Sequence, residues 1–336
     1  MKTDRGKFEP SHSIYTPQQA SSMGIRNIKS SKAGQKRAMR FDFGSDKINN
    51  YIAPLIAGQT MVIIAQTTNY KSGFMRYLEF MWAKQLAEEK RNECIIHISF
   101  EEVIEEQVFY AFERFSGEKA GALARGNVEN WDRLLAASIS VSGIPIYRIG
   151  DSLEQPEMFS QLYLTNVERS LNVMVSGGLG FEVIPAAICV DYLQAIPLDP
   201  EISLGYGDED RRMHVISNVY RLQDWSKFYN CPVIFNSQAK QKVENEKAGC
   251  LKMPGIYDGA EAKEIGDRPN RVLALAMAKQ SGVVGSTLQL GLHEFTIAEN
   301  QLFAKVWKQR GGLPSGKVFP LRINYETGDI KFDEYF

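Results

Sequence analysis

Residues 61–72 read Met-Val-Ile-Ile-Ala-Gln-Thr-Thr-Asn-Tyr-Lys-Ser, and this stretch indicates the fold. Its first five residues form an unbroken apolar run of strand length, and residues 74–90 continue with apolar side chains at helical spacing. A polar loop that follows a buried strand and opens a helix is the setting of a phosphate-binding loop. In such a loop the lysine, here Lys71, reaches the outer phosphates, and the hydroxyl of the next residue, Ser72, holds Mg²⁺.

The whole loop is therefore a candidate nucleotide site, made of Ala65, Gln66, Thr67, Thr68, Asn69, Tyr70, Lys71 and Ser72. Ala65 and Tyr70 stand where a phosphate loop has two glycines. The tyrosine adds bulk where the backbone should approach the phosphates closely. Taken alone, the loop leaves a second interpretation open, in which a Lys-Ser pair merely begins a helix.

Apolar, β-branched runs alternate with helical segments after residue 41, which is typical of βαβ units. The runs have no polar face, as expected for parallel strands buried on both sides. We predict an α/β domain with a mostly parallel central sheet and antiparallel C-terminal strands. The predicted strands are 61–65, 94–99, 144–149, 186–191, 232–236, 272–276, 303–307 and 318–323, and the predicted helices are 74–90, 101–116, 158–173 and 211–228.

The composition excludes several classes of protein. Of the 336 residues, 44% are hydrophobic, which is too many for a disordered chain. No apolar run approaches the roughly 18 residues that span a bilayer, and the N-terminus lacks the apolar core of a secretory signal. Four dispersed cysteines, Cys94, Cys189, Cys231 and Cys250, match neither a zinc site nor a disulfide framework, which favours a cytoplasmic protein with buried thiols.

Positive charge is concentrated in the first 40 residues, which carry nine Lys or Arg and two acids, whereas the formal net charge of the chain is −1. This leader is rich in Ser, Gln and Gly and has no sustained apolar period. We expect a flexible basic arm over residues 1–40 and one domain over residues 41–336. The arm is either a solvated tail or a segment that packs on a neighbouring subunit or grips phosphate.

Polar residues follow three further predicted strands, at the edge where parallel strands end and ligands bind. Asp191 comes directly after five apolar residues, which suits a ligand of Mg²⁺-bound water. Glu101 is placed to activate water, or else it and Glu102 simply favour the first turn of the next helix. Gln238 either senses the γ-phosphate or caps its strand.

Two cations, Lys308 and Arg310, end a β run before a glycine turn. Alternation places both on one face of the strand. Such a pair suits a finger directed at the phosphates of another subunit, and a solvated surface hairpin is the alternative.

In their order along the chain, these parts resemble the RecA-like motor domain of DnaB-type replicative helicases. The matching stretches are the phosphate loop at 65–72, Ile-Ser-Phe-Glu-Glu at 98–102, Ile-Cys-Val-Asp-Tyr-Leu-Gln at 188–194, the sensor strand at 232–238 and Lys-Gln-Arg-Gly at 308–311. The resemblance covers residues 41–332 and implies a RecA-like P-loop NTPase core without the family's N-terminal collar domain.

The resemblance implies ATP and Mg²⁺ as cofactors and assigns a role to each candidate residue. Lys71 binds the β- and γ-phosphates, Ser72 and Asp191 hold Mg²⁺, Glu101 activates water, Gln238 senses the γ-phosphate, and Lys308 and Arg310 act on the ATP of the adjacent subunit.

The segment at 239–257 corresponds to the family's DNA-facing loop. Lys240 and Lys242 are the candidate contacts to the DNA backbone, although Glu244 and Glu246 dilute their charge and leave a solvated loop as the alternative. The implied partners are single-stranded DNA, further copies of the chain in a hexameric ring, and a primase or helicase loader. The implied setting is DNA replication of a bacterium, phage or mobile element.

Three functions stay open at this point. The sequence favours a ring-forming, ATP-dependent helicase on single-stranded DNA. Tyr70 motivates the second function, a helicase-like scaffold or nucleic-acid clamp with weakened or no turnover. The third is a RecA-like ATPase of another branch, such as a signalling or recombination protein.

Overall fold

The computed structural model describes residues 16–32, 38–49, 51–200, 210–240, 251, 253–290, 293–310 and 316–333. The chain divides into two units, Met1–Arg37 and Ala38–Phe336. The described strands are β1 (Thr60–Ala65), β2 (Cys94–Ser99), β3 (Ile146–Ile149), β4 (Pro185–Asp191), β5 (Val233–Gln238), β6 (Arg271–Met277), β7 (Thr287–Leu290), β8 (His293–Thr296), β9 (Gln301–Gln309), β10 (Val318–Ile323) and β11 (Ile330–Phe332).

The described helices are α1 (Pro17–Lys32), α2 (Asp46–Asn49), α3 (Lys71–Glu88), α4 (Ile104–Ser116), α5 (Ala120–Leu123), α6 (Trp131–Ser142), α7 (Leu164–Val175), α8 (Asp210–Phe228), α9 (Glu264–Asp267) and α10 (Ala278–Ser281). Short 3-10 turns occur at Pro156–Gln161 and Leu193–Ala195. Among the helices of the described ranges, none combines the length and the apolar character needed to cross a membrane.

Strand β1 lies in the middle of a nine-stranded sheet with the order β11-β10-β9-β6-β1-β5-β4-β2-β3. From β6 to β3 all neighbouring strands are parallel, whereas β9, β10 and β11 extend the β6 edge as an antiparallel ladder. Strands β7 and β8 form a separate hairpin. The predicted α/β fold, mostly parallel with antiparallel C-terminal strands, is confirmed.

Side chains of β1 alternate between two apolar clusters, one on each face of the sheet. Met61, Ile63 and Ala65 join the cluster that α3 covers, and Val62 and Ile64 join the cluster that α7 and α8 cover. Both faces of the strand are therefore buried, which explains why its sequence is apolar throughout.

In the first unit, α1 is a helix where the sequence analysis expects a flexible arm. Its start is a capping box: the backbone N–H of Thr16 donates to the side chain of Gln19, and the N–H of Gln19 donates to Thr16 Oγ1. Pro17 occupies the first helical position, which proline favours. In the second unit, Met39 is already buried and pairs with Leu55 through both backbone groups, so packing begins before residue 41.

Two other helices differ from their predicted bounds for local reasons. The helix predicted at 158–173 is a 3-10 turn followed by α7. Helix α4 begins at Ile104, because Ser99 Oγ accepts hydrogen bonds from the backbone N–H groups of Glu101 (3.3 Å) and Glu102 (2.9 Å), and these close a turn after β2.

Helix α6 and strands β7, β8 and β11 are absent from the sequence-based assignment. The start of α6 has a readable signal, since the side chain of Asn130 accepts a hydrogen bond from the backbone N–H of Arg133 at 2.9 Å. Its apolar residues Trp131, Leu135 and Ile139 are all exposed, so burial against the domain does not explain them.

A buried polar contact joins α3 to the sheet. Nδ1 of His97 on β2 lies 2.5 Å from Oε1 of Glu79 on α3, and both residues are buried. Since α3 begins with Lys71, this hydrogen bond ties the helix that carries the lysine to the strand that leads to Glu101.

Glu79→Leu is expected to lower the free energy of unfolding by about 1–3 kcal/mol, because the buried ring of His97 loses its hydrogen-bond partner. Glu79→Gln keeps an oxygen acceptor and a similar volume, so its loss should be smaller. Urea unfolding of both variants measures the difference, and equal losses would show that Glu79 contributes something other than this hydrogen bond.

Candidate functional site

The carboxyl ends of four neighbouring parallel strands bring most of the predicted site residues together. The loop at 65–72 follows β1, Glu101 follows β2, Asp191 ends β4 and Gln238 ends β5. Ala65 pairs with Gln238 and Ser99 pairs with Asp191 across the sheet. Residues that are distant in sequence therefore meet at one edge.

The loop after β1 presents the start of α3. Asn69 is buried and holds the loop from within: its Nδ2 donates to the carbonyl of Thr67 at 3.1 Å, and its Oδ1 accepts from the backbone N–H of Met277 at 2.7 Å. The side chain of Tyr70 does not cap α3, whose hydrogen-bonded ladder begins with the N–H of Phe74 donating to the carbonyl of Tyr70. The N–H groups of its first residues are thus available to an anion.

Tyr70 adopts the backbone conformation that a glycine would have. Its φ is +63°, in the left-handed region, and Thr68 before it has φ +65°. The ring lies against Gly73 in the first turn of α3: a Cβ added to Gly73 would be 2.5 Å from Cζ of Tyr70. Burial raises the pKa of Tyr70, with Arg76 opposing it. The bulk that the sequence places at the phosphates is therefore directed along the helix.

Lys71 is a cation between two carboxylates. Burial lowers its pKa, while Asp191 and Glu101 raise it again. Its Nζ lies 5.2 Å from the centre of the Tyr192 ring, which gives a cation–π contact. These neighbours hold the ammonium group at the strand ends.

Asp191 is the buried carboxylate of the site, with 4% of its surface exposed. Its Oδ1 accepts a hydrogen bond of 2.8 Å from Nδ2 of Asn236, and Ser72 lies in the first turn of α3. One carboxylate and one hydroxyl suit Mg²⁺, which keeps several waters and takes its remaining ligands from phosphates. Within the described residues no group of three or more His, Cys, Asp or Glu could hold a metal alone.

Glu101 and Glu102 have different partners. Glu102 pairs with Arg76 at 2.8 Å, and Arg76 also stacks over the ring of Tyr110. Partial burial and then the charge of Asp191 raise the pKa of Glu101, while Lys71 lowers it. Since α4 begins only at Ile104, neither acid serves its first turn, so that alternative is wrong.

Gln238 connects the phosphate loop to the segment at 258–260. Its Nε2 donates to Thr67 Oγ1 at 2.7 Å, and its carbonyl accepts from the backbone N–H of Ala260 at 2.8 Å. Gln194 supports this contact, since its Oε1 accepts from the N–H of Gln238 and its Nε2 donates to Ser237. Gln194 stands in the quoted 188–194 motif, but the sequence analysis gave it no role.

Lys308 and Arg310 lie at the other end of the sheet. Strand β9 runs antiparallel to β6, so the N–H of Arg310 donates to the carbonyl of Asn270, just before β6 begins. Nζ of Lys308 donates to the carbonyls of Gly266 and Asp267. Burial and the charge of Arg310 lower the pKa of Lys308, which agrees with two cations close together. The chain does not bring this pair to its own phosphate loop.

Of the two candidate DNA contacts, only Lys240 is described. Its side chain is exposed, and its backbone N–H donates to the carbonyl of Asp258 at 2.7 Å. Lys242 lies outside the described residues.

Comparisons with known proteins bear on this geometry. No family model and no curated protein matches the chain. Among solved structures, a DnaB-like replicative helicase, studied with its primase interactions, matches at TM-score 0.68 and 15% identity over 95% of this chain and 69% of its own. A second solved structure, the isolated ATPase domain of another protein, matches at TM-score 0.61 and 15% identity over 96% of this chain and 100% of its own. The chain has the fold of a DnaB-type helicase ATPase domain. The predicted RecA-like core is thereby confirmed, and within this DnaB-type fold the chemistry depends on the side chains described above.

Gly73→Ala is expected to lower the free energy of unfolding by about 1–3 kcal/mol, because the new methyl group displaces the ring of Tyr70. In a Tyr70→Gly background the same change meets no ring and should be neutral or stabilising, since alanine favours a helix. Urea unfolding of the four proteins completes a double-mutant cycle. A coupling below about 0.5 kcal/mol would contradict the packing of the ring on Gly73.

Proposed function

We propose that this chain is a ring-forming, ATP-dependent helicase or translocase that acts on single-stranded DNA. The carrying observation is the constellation at one edge of a DnaB-type fold: a loop that opens α3, the cation Lys71, the amide-bound Asp191 and the carboxylate of Glu101. A cytoplasmic role in DNA replication, and a primase or loader as partner, belong to the same proposal.

ATP binds with its phosphates on the first N–H groups of α3 and on Lys71. Ser72 and Asp191 hold Mg²⁺, which neutralises the developing charge on the phosphates when it is bound. Glu101 takes the proton of the attacking water. Its raised pKa brings it closer to the working pH, which suits a general base, so turnover should fall as the pH drops through that raised value.

Gln238 relays the state of the nucleotide. It touches the phosphate loop through Thr67 and the segment at 258–260 through its carbonyl. Departure of the γ-phosphate shifts the loop, and the backbone pairing of Ala239 with Gly259 passes the shift to Lys240. Lys240 and the exposed ring of Tyr257 then contact the DNA backbone and a base, without reading sequence.

A second copy of the chain completes the site. Lys308 and Arg310 lie at the end of the sheet opposite their own phosphate loop, so they serve the nucleotide of a neighbour. The exposed stripe of Trp131, Leu135 and Ile139, with 62%, 58% and 73% of their surfaces exposed, supports a subunit contact on α6. A closed ring of six such copies, with the basic leader on the adjacent subunit, is the assembly we propose.

The deciding experiment is ATP hydrolysis by the purified chain with and without single-stranded DNA. Turnover should rise with DNA and vanish in Lys71→Ala. Glu101→Gln should retain ATP binding and lose at least about 100-fold in turnover, since a general base contributes about 10²–10⁴-fold. Glu102→Gln is the matched control, because this acid is paired with Arg76, and its loss should be much smaller.

No turnover from assembled rings that bind Mg-ATP would contradict the motor and favour the scaffold or clamp. Equal losses in Glu101→Gln and Glu102→Gln would contradict the assignment of Glu101 as the base.

Action of the cations on a neighbour predicts complementation between inactive variants. Lys71→Ala and the double variant Lys308→Ala, Arg310→Ala should each be nearly inactive, because an arginine finger contributes about 10³–10⁵-fold. Mixed rings contain interfaces that pair an intact loop with intact cations, so mixing should restore turnover. Tagged copies verify that the variants assemble together, and mixed rings without recovery would contradict action across the interface.

A further inference from the structure

Asn236 is a buried amide at the floor of the candidate site. It lies on β5 between β1 and β4, and its neighbour across the sheet on β1 is Ile63. None of its surface is exposed. Ile234, two residues earlier, belongs to the cluster covered by α3, so Asn236 faces the same helix.

The orientation of the amide follows from its contact with Asp191. Nδ2 of Asn236 donates to Oδ1 of Asp191 at 2.8 Å, and a carboxylate oxygen accepts only from the NH₂ end of an amide. Oδ1 of Asn236 is therefore turned away from this carboxylate. It is buried and has no hydrogen-bond partner among the described residues.

A buried carbonyl oxygen without a donor is unfavourable and needs an explanation. Leucine or valine would fill the position without leaving a polar atom unpaired. A water bound to Mg²⁺ is a strong donor, and Mg²⁺ keeps several waters when one carboxylate and the phosphates hold it. The unpaired oxygen next to the metal-binding carboxylate thus has a matching donor in the loaded site.

We propose that Asn236 is a positioning residue for Mg²⁺, with its NH₂ group orienting Asp191 and its Oδ1 accepting a hydrogen bond from a metal-bound water. This inference rests on the proposed function, because it requires a nucleotide with Mg²⁺ at the loop. Groups that orient a metal ligand typically change metal affinity by about 10–100-fold when they are removed.

The test measures nucleotide binding by the full chain as a function of Mg²⁺. A fluorescent ADP analogue is bound first in EDTA and then during a Mg²⁺ titration, for the wild type, Asn236→Leu and Asn236→Ala. Both variants should raise the half-saturating Mg²⁺ concentration about tenfold and leave metal-free nucleotide affinity within about twofold. Thermal unfolding verifies that each variant is folded, and the alanine variant serves if leucine does not fit.

Asn218→Leu is the matched control. Asn218 is also a buried amide with a side-chain contact, at 3.1 Å to His214 in α8. Its replacement should change stability and leave the Mg²⁺ titration as in the wild type.

An unchanged Mg²⁺ titration in both Asn236 variants overturns the proposal. An equal loss of nucleotide affinity with and without Mg²⁺ also overturns it, because Asn236 would then only support the loop. A wild-type chain that binds nucleotide in neither condition overturns the proposed function, and this inference with it.

Discussion

Parallel pairing on both sides of β1 is the constraint on which the rest of the molecule depends. Its neighbours β5 and β6 run in its own direction, and all its residues are buried. Parallel strands end at one edge of the sheet, so the segments after β1, β2, β4 and β5 have to converge. The register Ala65–Gln238 then brings the glutamine side chain onto Thr67, although 171 residues separate the two.

The three carboxylates at that edge differ because their partners differ. An amide holds Asp191, a guanidinium holds Glu102, and Glu101 faces Lys71 with a raised pKa. Environments of this kind separate the roles of chemically similar groups. Partial desolvation also weakens the positive charge on Lys71, and the nearby carboxylates restore it. A phosphate that binds there meets a cation whose position the surrounding charges already determine.

The sequence was sufficient for the fold and for the residues at the strand ends, because both follow from local patterns. Apolar runs located the strands, and Lys71, Glu101, Asp191 and Gln238 follow directly from where those runs end. Contacts between distant segments were beyond it. Asn236 and Gln194 acquire partners only when β4 and β5 lie side by side, and the direction of the Tyr70 ring depends on the backbone of its own loop. The helical leader was readable from its capping box and was overlooked.

The contact between Tyr70 and Gly73 constrains the order in which such a loop evolves. With any side chain at position 73, a tyrosine ring cannot lie along the first turn of α3. Glycine at position 73 therefore has to be present before tyrosine replaces glycine at position 70. Once tyrosine is established, a mutation of Gly73 is selected against even where the substrate touches neither residue. Homologues with a bulky residue at position 70 should therefore have glycine three positions later, whereas those with glycine at 70 are free to vary there.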